Sequence, residues 1–254
     1  MRLLCAFVLL AAGSLGLTRP AGALTADELA AKNVAAKGGA EQLAALHSLR
    51  LRGKMLINGD QLQLAIVTLV ARPGSIREEA ELQGLTLVQA YDGRQGWKIN
   101  PFQGRKDPEK MSADDAKELG EDAADFTGTL VDYKAKGYQL EYLGTEDVDG
   151  TDAHKLRVTR PNGDITYVYL DPDYFLEIRI INRRIERGVP VETVTDYGDY
   201  EKVGGVYLPF EQVSGPKGSS DRQKLEYEKA DVNPALEDSL FRFPATAPAA
   251  AANK

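Results

Sequence analysis

Residues 154–170 read HKLRVTRPNGDITYVYL, two runs of alternating apolar and polar side chains around the dipeptide Asn162-Gly163. Strict alternation is typical of a half-buried β-strand, because successive side chains of a strand point to opposite faces. Asn-Gly between two such runs is a strong hairpin signal. The stretch therefore predicts two antiparallel strands, His154–Arg160 and Ile165–Leu170, joined by a tight turn.

The same period of two extends along the chain in both directions from this hairpin. A second Asn-Gly turn, Asn58-Gly59, follows a run that begins at Ser48. Downstream, four more predicted strands are Leu176–Arg184, Val191–Tyr200, Val206–Val213 and Arg222–Lys229. About a dozen strands at near-regular spacing, without strands and helices in alternation, indicate a sandwich or a barrel-like sheet. The chain is thus predicted to be mainly β (α+β) and antiparallel.

Two helical regions accompany the strands. Thr25 precedes Glu28 by three residues, which is capping-box spacing, and Gly38-Gly39 predicts a kink or two short helices before the first strand. A polar insert at about 103–137 interrupts the strands. It is predicted to be a loop as far as Pro108, then a helix from Ser112 to about Phe126 and a second helical piece at about 129–136.

The N-terminal residues predict export, and the C-terminal residues predict a tail outside the folded domain. Arg2, the apolar run at residues 3–17 and the small residues Ala21-Gly22-Ala23 are typical of a secretory signal peptide at 1–23. The run is too short to span a bilayer, so we expect a soluble periplasmic protein without stable membrane insertion. The folded domain would be residues 24–244. Residues 245–254, rich in Ala and Pro, would form a disordered tail.

The net charge limits the class of partner, and the cysteine content limits how the fold can be stabilised. The formal net charge is −7, which argues against nucleic acid as a main partner. The one cysteine, Cys5, lies in the predicted signal peptide. Without that cysteine the mature chain could form no disulfide, and a chain of this length can bury a sizeable core without one.

The usual catalytic motifs are absent from the sequence. His47 and His154 have no second ligand at metal-site spacing, and no nucleophile elbow or phosphate-binding glycine loop occurs. We therefore predict no enzyme activity, metal or cofactor. The acidic pairs are interpreted as solvated surface, although a glycosidase-like pair among them stays open; they are Asp114-Asp115, Glu121-Asp122 and Glu146-Asp147.

Three motifs carry a family resemblance. Residues 72–77 read RPGSIR, residues 91–102 read YDGRQGWKINPF, and residues 241–244 read FRFP. In order and spacing, over about residues 25–245, the chain resembles outer membrane lipoprotein-sorting proteins of the periplasmic lipoprotein carrier family (LolA/LolB-like). The resemblance implies a single unclosed antiparallel β-barrel or half-barrel around an apolar cavity, with helices as a lid.

The resemblance also implies a function and partners. The cavity would hold lipid or lipoprotein acyl chains, and Arg72 would help to latch the lid. An inner-membrane transporter and an outer-membrane acceptor would be the protein partners of a monomer. The candidate cavity-lining residues are Leu64, Ile66, Leu87, Trp97, Phe102, Leu156, Val158, Tyr167, Tyr169 and Ile178.

Several interpretations stay open at this point. A filled core would use the same aliphatic residues as a cavity, and Trp97 fits either setting. The function that we predict is a non-catalytic periplasmic carrier. The alternative is an envelope-stress sensor or protein-interaction module on the same fold, and a third is a carboxylate-based hydrolase.

Overall fold

A computed structural model describes residues 24–186 and 188–244, without the side chain of Glu186. The predicted signal peptide and the predicted C-terminal tail lie outside the described residues. The described helices are α1 (Ala26–Ala36), α2 (Ala40–Ala44) and α3 (Ala113–Ala124). The strands are β1 (Ser48–Ile57), β2 (Leu62–Ala71), β3 (Ser75–Leu82), β4 (Leu85–Tyr91), β5 (Gly96–Asn100), β6 (Arg105–Lys110), β7 (Gln139–Val148), β8 (Thr151–Thr159), β9 (Ile165–Leu170), β10 (Glu177–Glu186), β11 (Val189–Val203), β12 (Val206–Pro216) and β13 (Gln223–Val232).

Within the described residues, these strands form one antiparallel sheet in the order β6-β5-β4-β3-β2-β1-β13-β12-β11-β10-β9-β8-β7. Strands adjacent in sequence pair with each other, except that β6 and β7 do not pair and β1 pairs with β13. Because β6 and β7 remain as its two edges, the sheet does not close. The prediction of a mainly β, unclosed antiparallel half-barrel is confirmed.

The pairing of β1 with β13 depends on a glycine. Its register shifts between Arg52 and Gly53, opposite Tyr227. A Cβ added at Gly53 would lie 2.0 Å from the carbonyl oxygen of Glu226, so no other residue fits without moving the backbone. This close approach joins the two chain-terminal parts of the sheet.

One face of the sheet, here called the inner face, carries the helices and the two largest core clusters. The first cluster joins α2 to β1–β3, β12 and β13, and includes Leu43, Leu46 and Leu208. The second joins α1 to β8–β10 and includes Leu29 and Val168. The inner face thus has two packed regions, one under each N-terminal helix.

The N-terminal helices match their predicted signals. The Thr25 hydroxyl accepts a hydrogen bond from the Glu28 backbone N–H, and the Glu28 carboxylate accepts one from the Thr25 backbone N–H at 2.8 Å. This capping box begins α1. The predicted interruption at Gly38-Gly39 is also present, because it separates α1 from α2.

The insert at 103–137 differs from its prediction in two places. Arg105–Lys110, predicted as part of a loop, forms the edge strand β6, because an edge strand tolerates charge and a proline. Residues 129–137 are turns, and the second helical piece predicted there is wrong. The first predicted helix is confirmed as α3, with Ser112 as its N-cap.

Candidate ligand-binding cavity

A cavity of about 680 Å³ lies between the inner face of the sheet and α3. Its size falls within the range of small-molecule sites. Helix α3 contributes Asp115, Glu118, Leu119 and Asp122 to the lining. Their spacing of three and four residues places them on one side of the helix. The sheet forms the remaining walls, so α3 lies over the cavity as a lid does.

Helix α3 is packed tightly onto the β3–β5 side of the cavity. A Cβ added at Gly96 would lie 2.9 Å from the Cβ of Ala116, and one added at Gly120 would lie 3.0 Å from the Tyr91 ring. Leu119 and Ala123 pack with side chains of β2 and β3. Apolar contact at close range therefore fixes this side of the helix.

The other side of α3 is held by charge. Arg184 of β10 forms a salt bridge with Glu118 and a second one, at 3.4 Å, with Glu121. Arg160, which follows β8, bonds Asp125 at 2.7 Å. These five residues are called the ionic clasp. Because it joins α3 to the β8–β10 wall, the clasp spans the opening between the two halves of the sheet.

Arg72, the predicted lid latch, contacts two separate segments of the chain. Its Nε donates to the carbonyl oxygen of Leu46 at 2.9 Å, and its Nη2 donates to that of Leu43 at 3.2 Å. The guanidinium also lies 5.4 Å from the centre of the Phe126 ring, just after α3. Arg72 therefore contacts the end of α2 and the segment that leaves α3.

The cavity has both apolar and polar walls, whereas a uniformly apolar cavity was expected. Its apolar lining includes Leu49, Leu51, Val70, Ile76, Leu87, Phe126, Ile180, Leu208 and Leu225. A polar row crosses β2–β5, because Thr68, Glu78, Gln89 and Lys98 are cross-strand neighbours. Asn182, Thr193, Thr195, Ser214 and Gln223 line the opposite wall. The cavity is thus amphipathic.

Two carboxylates of the cavity have raised pKa values. Burial raises the pKa of Glu78, and the nearby Glu118 adds to the effect. Burial, and to a smaller extent the charge of Glu78, raises the pKa of Asp122 to about 7. The Asp122 side chain is 54% exposed and lines the cavity, so water that reaches the cavity partly screens this carboxylate.

Glu78 and Asp122 are not among the site residues that the sequence predicted. Glu78 shares the inward register of β3 with Ile76 and Ala80, so a charge at an apolar position was the available signal. The interpretation of Glu121-Asp122 as solvated surface is wrong for Glu121, whose side chain is 12% exposed in the clasp, whereas the Asp122 side chain is 54% exposed and borders the cavity. The acidic stretch is charged on its inner side because it faces Arg160 and Arg184.

A buried ion pair at the cavity wall was also missed. Lys37 Nζ lies 2.9 Å from Glu177 Oε1, and both side chains are less than a tenth exposed. The Tyr200 hydroxyl donates to the Glu177 carbonyl oxygen at 2.9 Å. Since the partners are 140 residues apart, no local pattern indicates the pair. It ties the end of α1 to β10 and β11.

The predicted lining residues on the inner face are mostly packed core. Leu87 lines the cavity. Leu64 and Ile66 are buried in the cluster under α2, and Leu156 and Val158 are fully buried in the cluster under α1. In this structure these four residues are part of the packed core.

The remaining predicted lining residues lie elsewhere, so the structure does not bring the set into one cavity. Trp97 is buried on the outer face, where its indole N–H donates to the Phe241 carbonyl oxygen at 2.8 Å. Phe102 is 42% exposed. Tyr167 and Tyr169 belong to an outer cluster because they have the opposite strand parity to Val168, and Ile178 joins this cluster at the register shift between Glu177 and Arg179. Tyr169 borders a separate cavity of about 320 Å³.

No group of three or more His, Cys, Asp and Glu side chains has an arrangement suited to a metal ion among residues 24–186 and 188–244. In the same part of the chain, no helix has the length and apolarity needed to cross a membrane.

The architecture is a LolA-like fold, which is also found in solved structures of other proteins. A DUF1329 family protein from Desulfovibrio piger matches with a TM-score of 0.59 and 15% identity, over 85% of this chain and 95% of that one. A LolA superfamily protein from Nitrosomonas europaea matches with a TM-score of 0.57 and 15% identity, over 87% and 98%. A putative outer membrane lipoprotein-sorting protein domain from Vibrio parahaemolyticus matches with a TM-score of 0.56 and 11% identity, over 85% and 95%.

No family model and no curated protein matches the sequence. At these identities, the likeness to the solved structures establishes the fold alone. The fold is the one that the sequence motifs predicted.

Proposed function

We propose that this protein is a non-catalytic periplasmic carrier that holds the acyl chains of a lipoprotein or a similar lipid. The observation that carries the proposal is the cavity of about 680 Å³ beneath α3, in a fold shared with a lipoprotein-sorting domain. Residues 1–23 would direct export. An inner-membrane transporter would load the cavity, and an outer-membrane acceptor would unload it.

The energetics require an apolar surface, which the cavity supplies in part. Burial of an acyl chain is worth about 0.8 kcal/mol per methylene, and a bilayer offers the same gain. A carrier exchanges lipid with a membrane only if its own site is comparably apolar. The lining from β1, β12 and β13 meets this requirement through Leu49, Leu51, Leu208 and Leu225, so we place the acyl chain there.

Arg72 supports the closed state in this proposal. It is bonded to the end of α2 and stacked on Phe126, so movement of the segment after α3 would break its contacts. Helix α3 would open by releasing the ionic clasp while its apolar side stays packed on β3–β5. Arg72 would therefore act in release and have no role in chemistry.

The first test is native mass spectrometry of the full chain after export and purification from a periplasm, with lipid extraction of the same sample. We expect an acyl-chain species in stoichiometric amount. A clean apo mass, together with no uptake of monolauroylglycerol, would contradict the carrier proposal. A protein-interaction module on the same fold would then be the better explanation.

A second candidate function is a carboxylate-based hydrolase. The observation that favours it is Asp122, whose pKa of about 7 would suit a general acid near neutral pH, beside Glu78 in the same cavity. The same extraction separates the two functions. A bound amphiphile that stays intact over time supports the carrier, and a cleaved product that disappears in Glu78→Gln supports the hydrolase.

A further inference from the structure

The polar half of the cavity has an uneven charge balance. Each basic side chain that lines the cavity in the described part of the chain already has an acidic partner: Lys37 has Glu177 at 2.9 Å, Lys98 has Asp115 at 3.4 Å, Arg160 has Asp125 at 2.7 Å, and Arg184 has Glu118. A bound anion would have to compete with these carboxylates for every cation that it met.

Two cavity carboxylates are not matched in this way. Among the described residues, no basic side chain lies within 4.0 Å of Glu78. Asp122 lies 4.0 Å from Arg184, which has closer contacts with Glu118 and Glu121. Glu78 is on the sheet and Asp122 on the lid helix, and the charge of Glu78 acts on Asp122 across the cavity. The space between sheet and lid therefore has a surplus of negative charge.

This surplus lies at a defined position relative to the apolar lining. Glu78 is a cross-strand neighbour of Thr68 and Gln89, which can hydrogen-bond a polar group. Thr68 is in turn the cross-strand neighbour of Leu51, where the apolar lining of β1 begins. An amphiphile whose chain follows the apolar wall would thus place its head group beside Glu78 and beneath Asp122.

We infer that the cavity selects amphiphiles with a cationic head group, such as an ammonium, which binds between Glu78 of the sheet and Asp122 of the lid helix, and that it disfavours fatty-acid anions. This inference rests on the proposed function, because it assigns a head-group chemistry to the same cavity. A cation between the two carboxylates would neutralise their repulsion and hold α3 against the sheet. A carboxylate head group would meet both at short range in a low-dielectric site.

The test is calorimetric titration of the full chain at pH 8 with three probes below their micelle concentrations. Dodecyltrimethylammonium, monolauroylglycerol and dodecanoate have similar chains and differ in head-group charge. We expect affinity to fall in that order, with about a tenfold difference between the cationic and anionic probes. Equal affinities or a preference for dodecanoate would overturn the inference and leave the carrier proposal standing. Binding of none of the three would overturn both.

A matched pair of variants locates the selectivity. Glu78→Gln removes one of the two charges and should lower the preference for the cationic probe about threefold, with monolauroylglycerol affinity unchanged. Glu81→Gln removes an outward charge of the same strand and should leave the preference intact. An unchanged preference in Glu78→Gln would overturn the assignment. Should Glu78→Gln fail to fold, Asp122→Asn tests the same head-group position from the lid helix.

Discussion

At the scale of single residues, the buried pair Lys37–Glu177 has the clearest energetic consequence. Both charges are removed from water, and the Coulombic attraction of a buried pair does little more than offset that cost. Removal of one partner leaves the other buried and uncompensated. The pair therefore fixes α1 against β10 more by the penalty for its disruption than by its own attraction.

We predict that Lys37→Met lowers the free energy of unfolding by about 3–5 kcal/mol, because Glu177 is left as a buried, unpaired carboxylate. The double variant Lys37→Met with Glu177→Leu should recover most of this loss. Urea denaturation measures both. Lys106→Met, on the exposed edge strand β6, is the control and should change little. A double variant no more stable than the single one would contradict the explanation.

Asp122 gives a prediction with a defined pH dependence. Its pKa is raised from 3.8 to about 7, so folding takes up a proton between these values. The loss of stability begins as the pH rises above 3.8 and is complete above about pH 7. Asp122→Asn should therefore raise the melting temperature more at pH 8 than at pH 5. Glu78, Glu118, Glu121 and Arg184 face this group and are kept unchanged.

Differential scanning calorimetry at the two pH values measures this effect. Asp107→Asn, on the edge strand β6, removes a carboxylate that lies outside the cavity and serves as the control. A gain in melting temperature that is the same at pH 5 and pH 8 would show that the Asp122 pKa is not raised by the cavity.

At the scale of elements, the lid helix has two different attachments. Its contact with β3–β5 is apolar and close, as the positions of Gly96 and Gly120 show. Its contact with β8–β10 is the ionic clasp. Within the clasp, Glu118 is 50% exposed and its pair with Arg184 is screened by salt, whereas Arg160 and Asp125 are both less than a tenth exposed and their pair is screened much less. The two attachments of α3 thus differ in kind, one by apolar packing and the other by charge.

For the latch, we predict that Arg72→Leu speeds the release of a bound acyl probe about tenfold. The reason is the loss of the guanidinium contact with the Phe126 ring, just after α3, together with the two hydrogen bonds to the Leu43 and Leu46 carbonyl oxygens that position it. Stopped-flow fluorescence with a labelled monoacylglycerol measures the rate. Arg94→Leu, in the exposed turn between β4 and β5, is the matched control. Release at the wild-type rate in Arg72→Leu would rule out the latch.

The C-terminal segment is a second attached element, on the outer face. Trp97 donates to the Phe241 carbonyl oxygen, and Arg77 Nη1 donates to that of Leu240 at 3.0 Å. The Phe243 ring contacts Trp97 edge-on, with centroids 6.3 Å apart. Residues 240–243 thus cover the outer side of β3–β5.

We predict that Phe241→Ala, which empties a buried site, costs about 3–5 kcal/mol of stability and shifts tryptophan emission to longer wavelength. Trp97 is the one tryptophan of the chain, so the emission reports on this site alone. Phe102→Ala, at a residue 42% exposed, should leave stability and emission nearly unchanged. An unshifted spectrum in Phe241→Ala would mean that the segment does not shield the indole.

At the scale of the whole molecule, the pairing of β1 with β13 organises the sheet. It joins the two halves of the meander, so that α2 rests on strands from both ends of the chain. The open side then lies between β6 and β7, and α3 follows β6 directly in sequence. The lid helix is therefore placed over the opening by the topology itself.

Much of this architecture was predictable from local patterns. Alternation with Asn58-Gly59 and Asn162-Gly163 turns gave the strands their approximate limits, and Thr25 with Glu28 gave the start of α1. Local signals succeed here because strand period and helix capping depend on neighbours within a few residues. The charged strand β6 lacked such a signal, since an edge strand need not bury side chains.

The candidate site was much less predictable. Strand alternation could identify two faces but not which face of β8–β10 is covered, so Tyr167 and Tyr169 were grouped with Leu156 although they point the other way. Trp97 was equally ambiguous, because the C-terminal segment that buries it lies 144 residues away. Burial by a distant segment leaves no trace in local periodicity.

By itself, the sequence determined the fold class, the antiparallel strands and the motifs typical of a LolA-like fold, because each depends on short-range pattern. The tertiary structure alone decided that Glu78 and Asp122 face one cavity, that Arg160 and Arg184 clasp the lid helix, and that Lys37 meets Glu177. The physical reason is that charge pairing and enclosure depend on contacts between distant segments, which exist only once the sheet has assembled.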